Sequence, residues 1–155
     1  MPTKEERELV KKMKAEGKTP SQQAGEFVRR EIEQIRNGEH GAANAKQAIA
    51  IGLSEARRAG VDLPPPKKGK YDEDVREQAK RELKVGDDSD YKVNRKRSMA
   101  ARKALKKEPT VAASKTALSR HAKAAARART PEERSASANK AAATRKRNAE
   151  KKKGG

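Results

Sequence analysis

The sequence predicts an all-α protein: a small N-terminal helical module followed by a basic, alanine-rich arm that is conditionally helical or disordered. Three observations lead there. Helix start and stop signals recur through the first half of the chain. Nearly all the excess positive charge lies in the second half. That second half also replaces large apolar residues with alanine, which favours helix without supplying a core. The expected division is a three-helix module over 1–63, a Pro/Lys linker over 64–71, a short helix and acidic turn over 72–91, and the arm over 92–155.

The first helix begins at a T-x-x-E capping box, Thr3 with Glu6, carries Leu9, Val10 and Met13 on one face, and ends at Gly17. The second begins at Thr19 and Gln22, with Pro20 at the first helical position, where its missing N–H costs nothing. Ala24, Phe27, Val28, Ile32 and Ile35 recur at helical spacing, and Asn37-Gly38 closes the element. Asn44 and Gln47 cap a third helix, whose predicted core face is Ile49, Leu53 and Ala56. Gly60 stops it, with Val61 placed for a Schellman contact. So few large apolar residues make a marginal core, which a homodimer through these helices would complete.

Pro64-Pro65-Pro66 followed by Lys67-Lys68-Gly69-Lys70 reads as a stiff, exposed spacer. Asp72 is placed to cap a fourth helix, with Val75, Ala79 and Leu83 on one side and Gly86 after its end. The acidic turn Asp87-Asp88-Ser89-Asp90 follows.

Residues 1–91 carry 19 Lys/Arg against 18 Asp/Glu, whereas residues 92–155 carry 21 against 4. A charge serving solubility alone would be spread along the chain. Concentrated in one segment, it describes an arm built to meet a polyanion. From residue 92 on, the large apolar residues are Val93, Met99, Leu105, Val111 and Leu118, while alanine fills 17 of the 64 positions. Pro109-Thr110 marks a break before a helix expected from about Val111 to Ala128, and Thr130-Pro131-Glu132-Glu133 starts another.

On a helix, Arg95, Arg102 and Lys106 form one row, with Lys96, Lys103 and Lys107 beside it. Arg120, Lys123 and Arg127 repeat the pattern with Leu118, Ala122 and Ala125 turned away. Such a face follows a phosphate backbone, and small alanines allow close approach. The expected nucleic-acid-binding set is these nine together with Arg97, Arg129, Arg145, Lys146 and Arg147. If about ten charges met phosphates, log K would fall with log salt at a slope near −9. No zinc finger, basic zipper or aromatic stacking platform appears, so base readout is not expected. A helix-turn-helix from the second and third helices is disfavoured, because the connection from Asn37 to Asn44 is long for that motif.

Catalysis is not expected. There is no cysteine, and neither His40 nor His121 has a second histidine or a carboxylate at ligand spacing. His40 reads as a polar turn residue. No phosphate-cradling glycine loop or nucleophile elbow is present, and no cofactor or metal is implied. The basic helices lack the bulky apolar face of membrane-surface helices, so no membrane partner is expected and the location implied is cytoplasmic, on the nucleoid.

The stretches PSQQAGEFVRREIEQIRNGEHG (20–41) and KQAIAIGLSEARRAGVDLPPPKKG (46–69) resemble a family of small basic bacterial proteins, a domain of unknown function whose members share the KQAIAIGLSEARRAG core. Some members are labelled DNA-binding or plasmid stabilization proteins. The C-terminal ALSRHAKAAARARTPEERSASANKAAATRKR resembles the arms that follow that core in longer members. The resemblance implies no catalytic or binding residues. Within the core, Lys46, Gln47, Ser54, Glu55, Arg57 and Arg58 lie off the predicted apolar face. They suit either a polar recognition surface or ordinary helix-end roles.

The function expected is histone-like, largely sequence-independent DNA binding by the arm. The alternatives are an RNA- or ribosome-associated basic protein, and a protein-interaction module in stress or plasmid maintenance whose basic tail only solubilises it.

Overall fold

The computed structural model describes residues 2–69, 71–88, 92 and 94–153, with the backbone alone for 151–153. Lys70, Ser89, Asp90 and Val93 lie outside these described residues. The chain is all-α, with no strand among the described residues. Its helices are α1 (Lys4–Ala15), α2 (Pro20–Arg36), α3 (Ala45–Arg58), α4 (Glu73–Asp87), α5 (Arg95–Leu105), a 3-10 helix (Thr110–Ala113), α6 (Lys115–Arg127) and α7 (Pro131–Lys153). Contacts divide it into two units, Met1–Ala117 and Leu118–Gly155.

The helix starts are where local chemistry puts them. Thr3 Oγ1 accepts from Glu6 N at 3.2 Å while Glu6 accepts from Thr3 N at 2.7 Å. Thr19 and Gln22 repeat the box at 3.3 and 2.9 Å. Asn44 caps α3 by accepting from Gln47 N at 2.9 Å. Gly60, at φ 98°, closes α3: its N–H donates to Arg57 O and that of Val61 to Ala56 O, both at 3.0 Å. This is the Schellman arrangement, and it delivers Val61 fully buried into the core.

That core joins Val10 and Met13 of α1, Ala24 and Phe27 of α2, and Ala56, Ala59 and Val61 at the end of α3. The α2–α3 interface is built differently from the sequence expectation. Ile49 and Leu53 are only half-buried; the face α3 buries is Ala45, Ala48, Gly52 and Ala56. Small side chains win because the two backbones nearly touch. A Cβ on Gly52 would stand 2.7 Å from Val28 Cα and 3.2 Å from Phe27 O. Gly52→Ala should therefore force α3 off α2 and cost about 1–3 kcal/mol in urea unfolding, although alanine is the better helix former.

α4 packs on α3 and buries Ala79 and Glu82, leaving Val75 47% exposed. Gly86 lies inside α4, not after it, and Asp72 occupies the N-cap position without making a side-chain cap hydrogen bond. Glu82 is held by Gln78 Nε2 at 2.9 Å, by the Ser54 hydroxyl, and by Arg57 Nη1 at 3.5 Å. Arg57 also donates to Leu63 O at 3.2 Å and is buried. Ser54 and Arg57 thus belong to the α3–α4 packing rather than to an exposed recognition surface. Gln47 turns back to accept from Ala43 N at 2.6 Å, a helix-start role.

The first unit runs past the expected module boundary at residue 63. Segment 105–113 of the supposed arm seals the far end of the α2–α3 pair. Gly41 N donates to Leu105 O at 2.9 Å, Ala42 N to Pro109 O at 3.1 Å, and Arg36 Nε to Ala113 O at 2.9 Å. Ala112 and Ala113 are buried with Ile32, Ile35 and Ala42. The sequence reading looked for large anchors, but Met99 and Val111 are 72% and 66% exposed. Two alanines do the sealing, because the space beside Gly41 is so tight that a Cβ there would fall 1.9 Å from Glu108 O.

The helix expected from Val111 to Ala128 is split. The 3-10 helix ends at Ala113, and Ser114 starts α6 by accepting from Ala117 N at 3.2 Å. In the second unit, α7 opens on a Thr130–Glu133 capping box with both bonds at 3.2 Å. Of its described side chains, Ala141 and Thr144 are half-buried and the others exposed. Alanine propensity and the cap, not burial, favour this helix.

Candidate nucleic-acid interface

All fourteen expected binding residues are exposed. Arg95, Lys96, Arg97, Arg102 and Lys103 lie on α5. Lys106 caps that helix and Lys107 follows it, so neither continues a helical row as the spacing implied. Arg120, Lys123 and Arg127 lie on α6, Arg129 precedes α7, and Arg145, Lys146 and Arg147 lie on α7. Among the described residues, every ion pair falls between Glu8 and Glu82, and none involves the fourteen. Six Lys/Arg of the first half make ion pairs, among them Arg29, which lies between Glu26 and Glu33; none of those described in the second half does.

In the first unit, a polar cleft of about 620 Å³ opens between the start of α1, the loop after α2, the end of α3 and α5. Glu6, Glu39 and Glu55 line it along with Arg58, Arg102 and Lys106, and His40 lies among them. Behind His40 is a group the sequence reading missed. Glu31 is fully buried, neither carboxylate oxygen has a hydrogen-bond partner, and His40 Nε2 stands 3.5 Å from Oε2. The carboxylate that spacing denied to His40 arrives from the preceding helix. Its sequence signal was a glutamate between Phe27 and Ile35 on the apolar row of α2.

Burial, and then the charge of Glu55, push the Glu31 carboxyl up to about 7, with Glu39 acting the same way and His40 opposing. Burial and then Glu6 also raise Glu55, against Arg58, His40 and Arg30. His40 Nδ1 lies 3.1 Å from Gly41 O, an acceptor only, so Nδ1 carries the hydrogen of a bond there. No group of three or more His, Asp or Glu among the described residues is placed to hold a metal ion.

Residues 11–68 match the model of a family of unknown function, DUF6496. The likeness is confined to this segment. The DUF6496 segment runs from the middle of α1 through the linker, so it includes α2, α3 and the Glu31–His40 pair. The match covers less of the chain than the resemblance read from sequence, for α4 to α7 and all fourteen cations lie beyond it. No curated protein and no solved structure matches the chain. No helix among the described residues is long and apolar enough to cross a membrane.

Proposed function

We propose that the protein binds nucleic acid, DNA foremost, through phosphate contacts from the exposed cations of α5 to α7, with no catalytic role. The observation that carries this reading is that the fourteen cations make no ion pair among the described residues and stand in a segment of 21 Lys/Arg against 4 Asp/Glu, whereas residues 1–91 carry 19 against 18. Unpaired Lys and Arg on alanine-rich helices release counterions when they meet phosphate, and that release drives sequence-independent binding. Fluorescence-anisotropy titration of the full chain with duplex DNA and RNA of matched length, at two salt concentrations, tests it. Tight binding that weakens steeply with salt is expected, and weak or salt-insensitive binding overturns it. The ratio of the two affinities separates DNA from RNA.

A second reading is favoured by the extent of the family match. What DUF6496 shares is the module of α2 and α3, not the arm. A protein-interaction role for that module, with the arm as a solubilising tail, accords with it. Weak binding to both nucleic acids together with a defined protein bound by the full chain would select this reading.

A further inference from the structure

Sequence spacing treats the two cation rows of α5 as equivalent, but the structure separates them. Arg102 and Lys106 line the cleft whose other walls carry Glu6, Glu39 and Glu55, with Arg58 and His40 among them; Lys96, Lys103 and Lys107 do not line it. We propose that the acids of this cleft compete with phosphate for Arg102 and Lys106, leaving Lys96, Lys103 and Lys107 to make the first contact with nucleic acid. This rests on the nucleic-acid reading above.

Backbone hydrogen bonds hold α5 at the cleft. Its last residue, Leu105, accepts from Gly41 N at 2.9 Å, and Pro109 O accepts from Ala42 N at 3.1 Å. The close approach at Gly41 leaves this junction little room to shift. Neither Arg102 nor Lys106 is within ion-pair distance of a carboxylate among the described residues. The acids therefore act across water, within the roughly 10 Å reach of charges at 0.1 M salt. A phosphate that enters the cleft to reach Arg102 shares it with Glu39 and Glu55. The acids bias these two cations without locking them: no salt bridge has to break, so a dense enough array of phosphates outcompetes them.

Across water, each acid–cation pair of this kind is worth about a twofold change in affinity. The full chain carrying Glu39→Gln and Glu55→Gln should bind duplex DNA about fivefold tighter at low salt and with a steeper salt dependence. Asp62→Asn with Asp74→Asn changes the net charge equally at exposed positions away from the cleft and is the control. Equal tightening in both variants overturns the proposal. A second readout needs no nucleic acid. NMR titration of the Glu39 and Glu55 carboxyls should show both protonating at higher pH when Arg102 and Lys106 are changed to glutamine. Unmoved titrations overturn the proposal and leave the nucleic-acid reading standing. Absence of duplex binding by the parent protein overturns that reading and this competition with it, even where the carboxyls respond.

Discussion

Replacing Arg120, Lys123, Arg127, Arg129, Arg145, Lys146 and Arg147 with glutamine should reduce duplex affinity by orders of magnitude and flatten its salt dependence by about six units of slope. The size follows from counterion release, which contributes about 0.9 to the slope for each phosphate neutralised. Glutamine keeps the length and most of the helix propensity of these side chains, so α6 and α7 retain their local preference. The seven residues are exposed and lie outside the first unit's core, so unfolding of that core should be unchanged. Binding titrations at 50 and 200 mM salt with a single duplex, repeated with an unrelated duplex, check both parts. An unchanged slope refutes the phosphate reading of the arm. A slope that flattens on one duplex alone indicates base readout. Cutting the chain before residue 92 is a poorer experiment, because it also removes Ala112, Ala113 and the Leu105 and Pro109 acceptors from the core.

Glu31→Gln should stabilise the protein at pH 8, by at most about 3 kcal/mol, and do little at pH 4. The folded protein holds the Glu31 proton up to about pH 7, against an ordinary value of 4.5. Between those limits the folded state binds more protons than the unfolded state, so stability falls as pH rises and levels off above the upper limit. The groups that set this are His40 and Glu39 in the loop and Glu55 on α3, with Arg58 and Arg30 acting on Glu55. Glutamine removes the ionisable proton while its amide still donates to His40 Nε2 in the tautomer described. Urea unfolding of parent and variant at pH 4, 6 and 8 checks the sign. Destabilisation that grows from pH 4 to pH 8 would show instead that Glu31 is held by a charge interaction stronger than its desolvation.

Much of the architecture was legible before any coordinates. Capping boxes at Thr3 and Thr19, the Asn44 cap and the Gly60–Val61 stop act over three or four residues, so the order of letters suffices to read them. The alternation of Val10 and Met13 on α1, and of Ala24, Phe27 and Ile35 on α2, likewise reports burial, because period 3.6 places them on one face. The exposure of the fourteen cations follows from desolvation: a lysine or arginine without a partner stays in water.

Other features depend on which segments meet, and spacing carries no such information. The buried face of α3 is Ala45, Ala48, Gly52 and Ala56, because α2 comes so close at Gly52 that even a Cβ there would not fit. Arg57 reads as a helix-end cation but finds Glu82, 25 positions on, and is buried with it. His40 reads as a turn residue until α2 lays Glu31 behind it. The sequence by itself determined the ends of α1 to α3 and the charge imbalance between the two halves, since each of these is set by neighbours along the chain. Only the tertiary structure decided that Ala112 and Ala113 are buried and that segment 105–113 bonds to the end of the α2–α3 pair, and that Arg102 and Lys106 share a cleft with acids while Lys96, Lys103 and Lys107 do not. Those outcomes turn on close approach between distant backbones at Gly41, where a single methyl group would not fit.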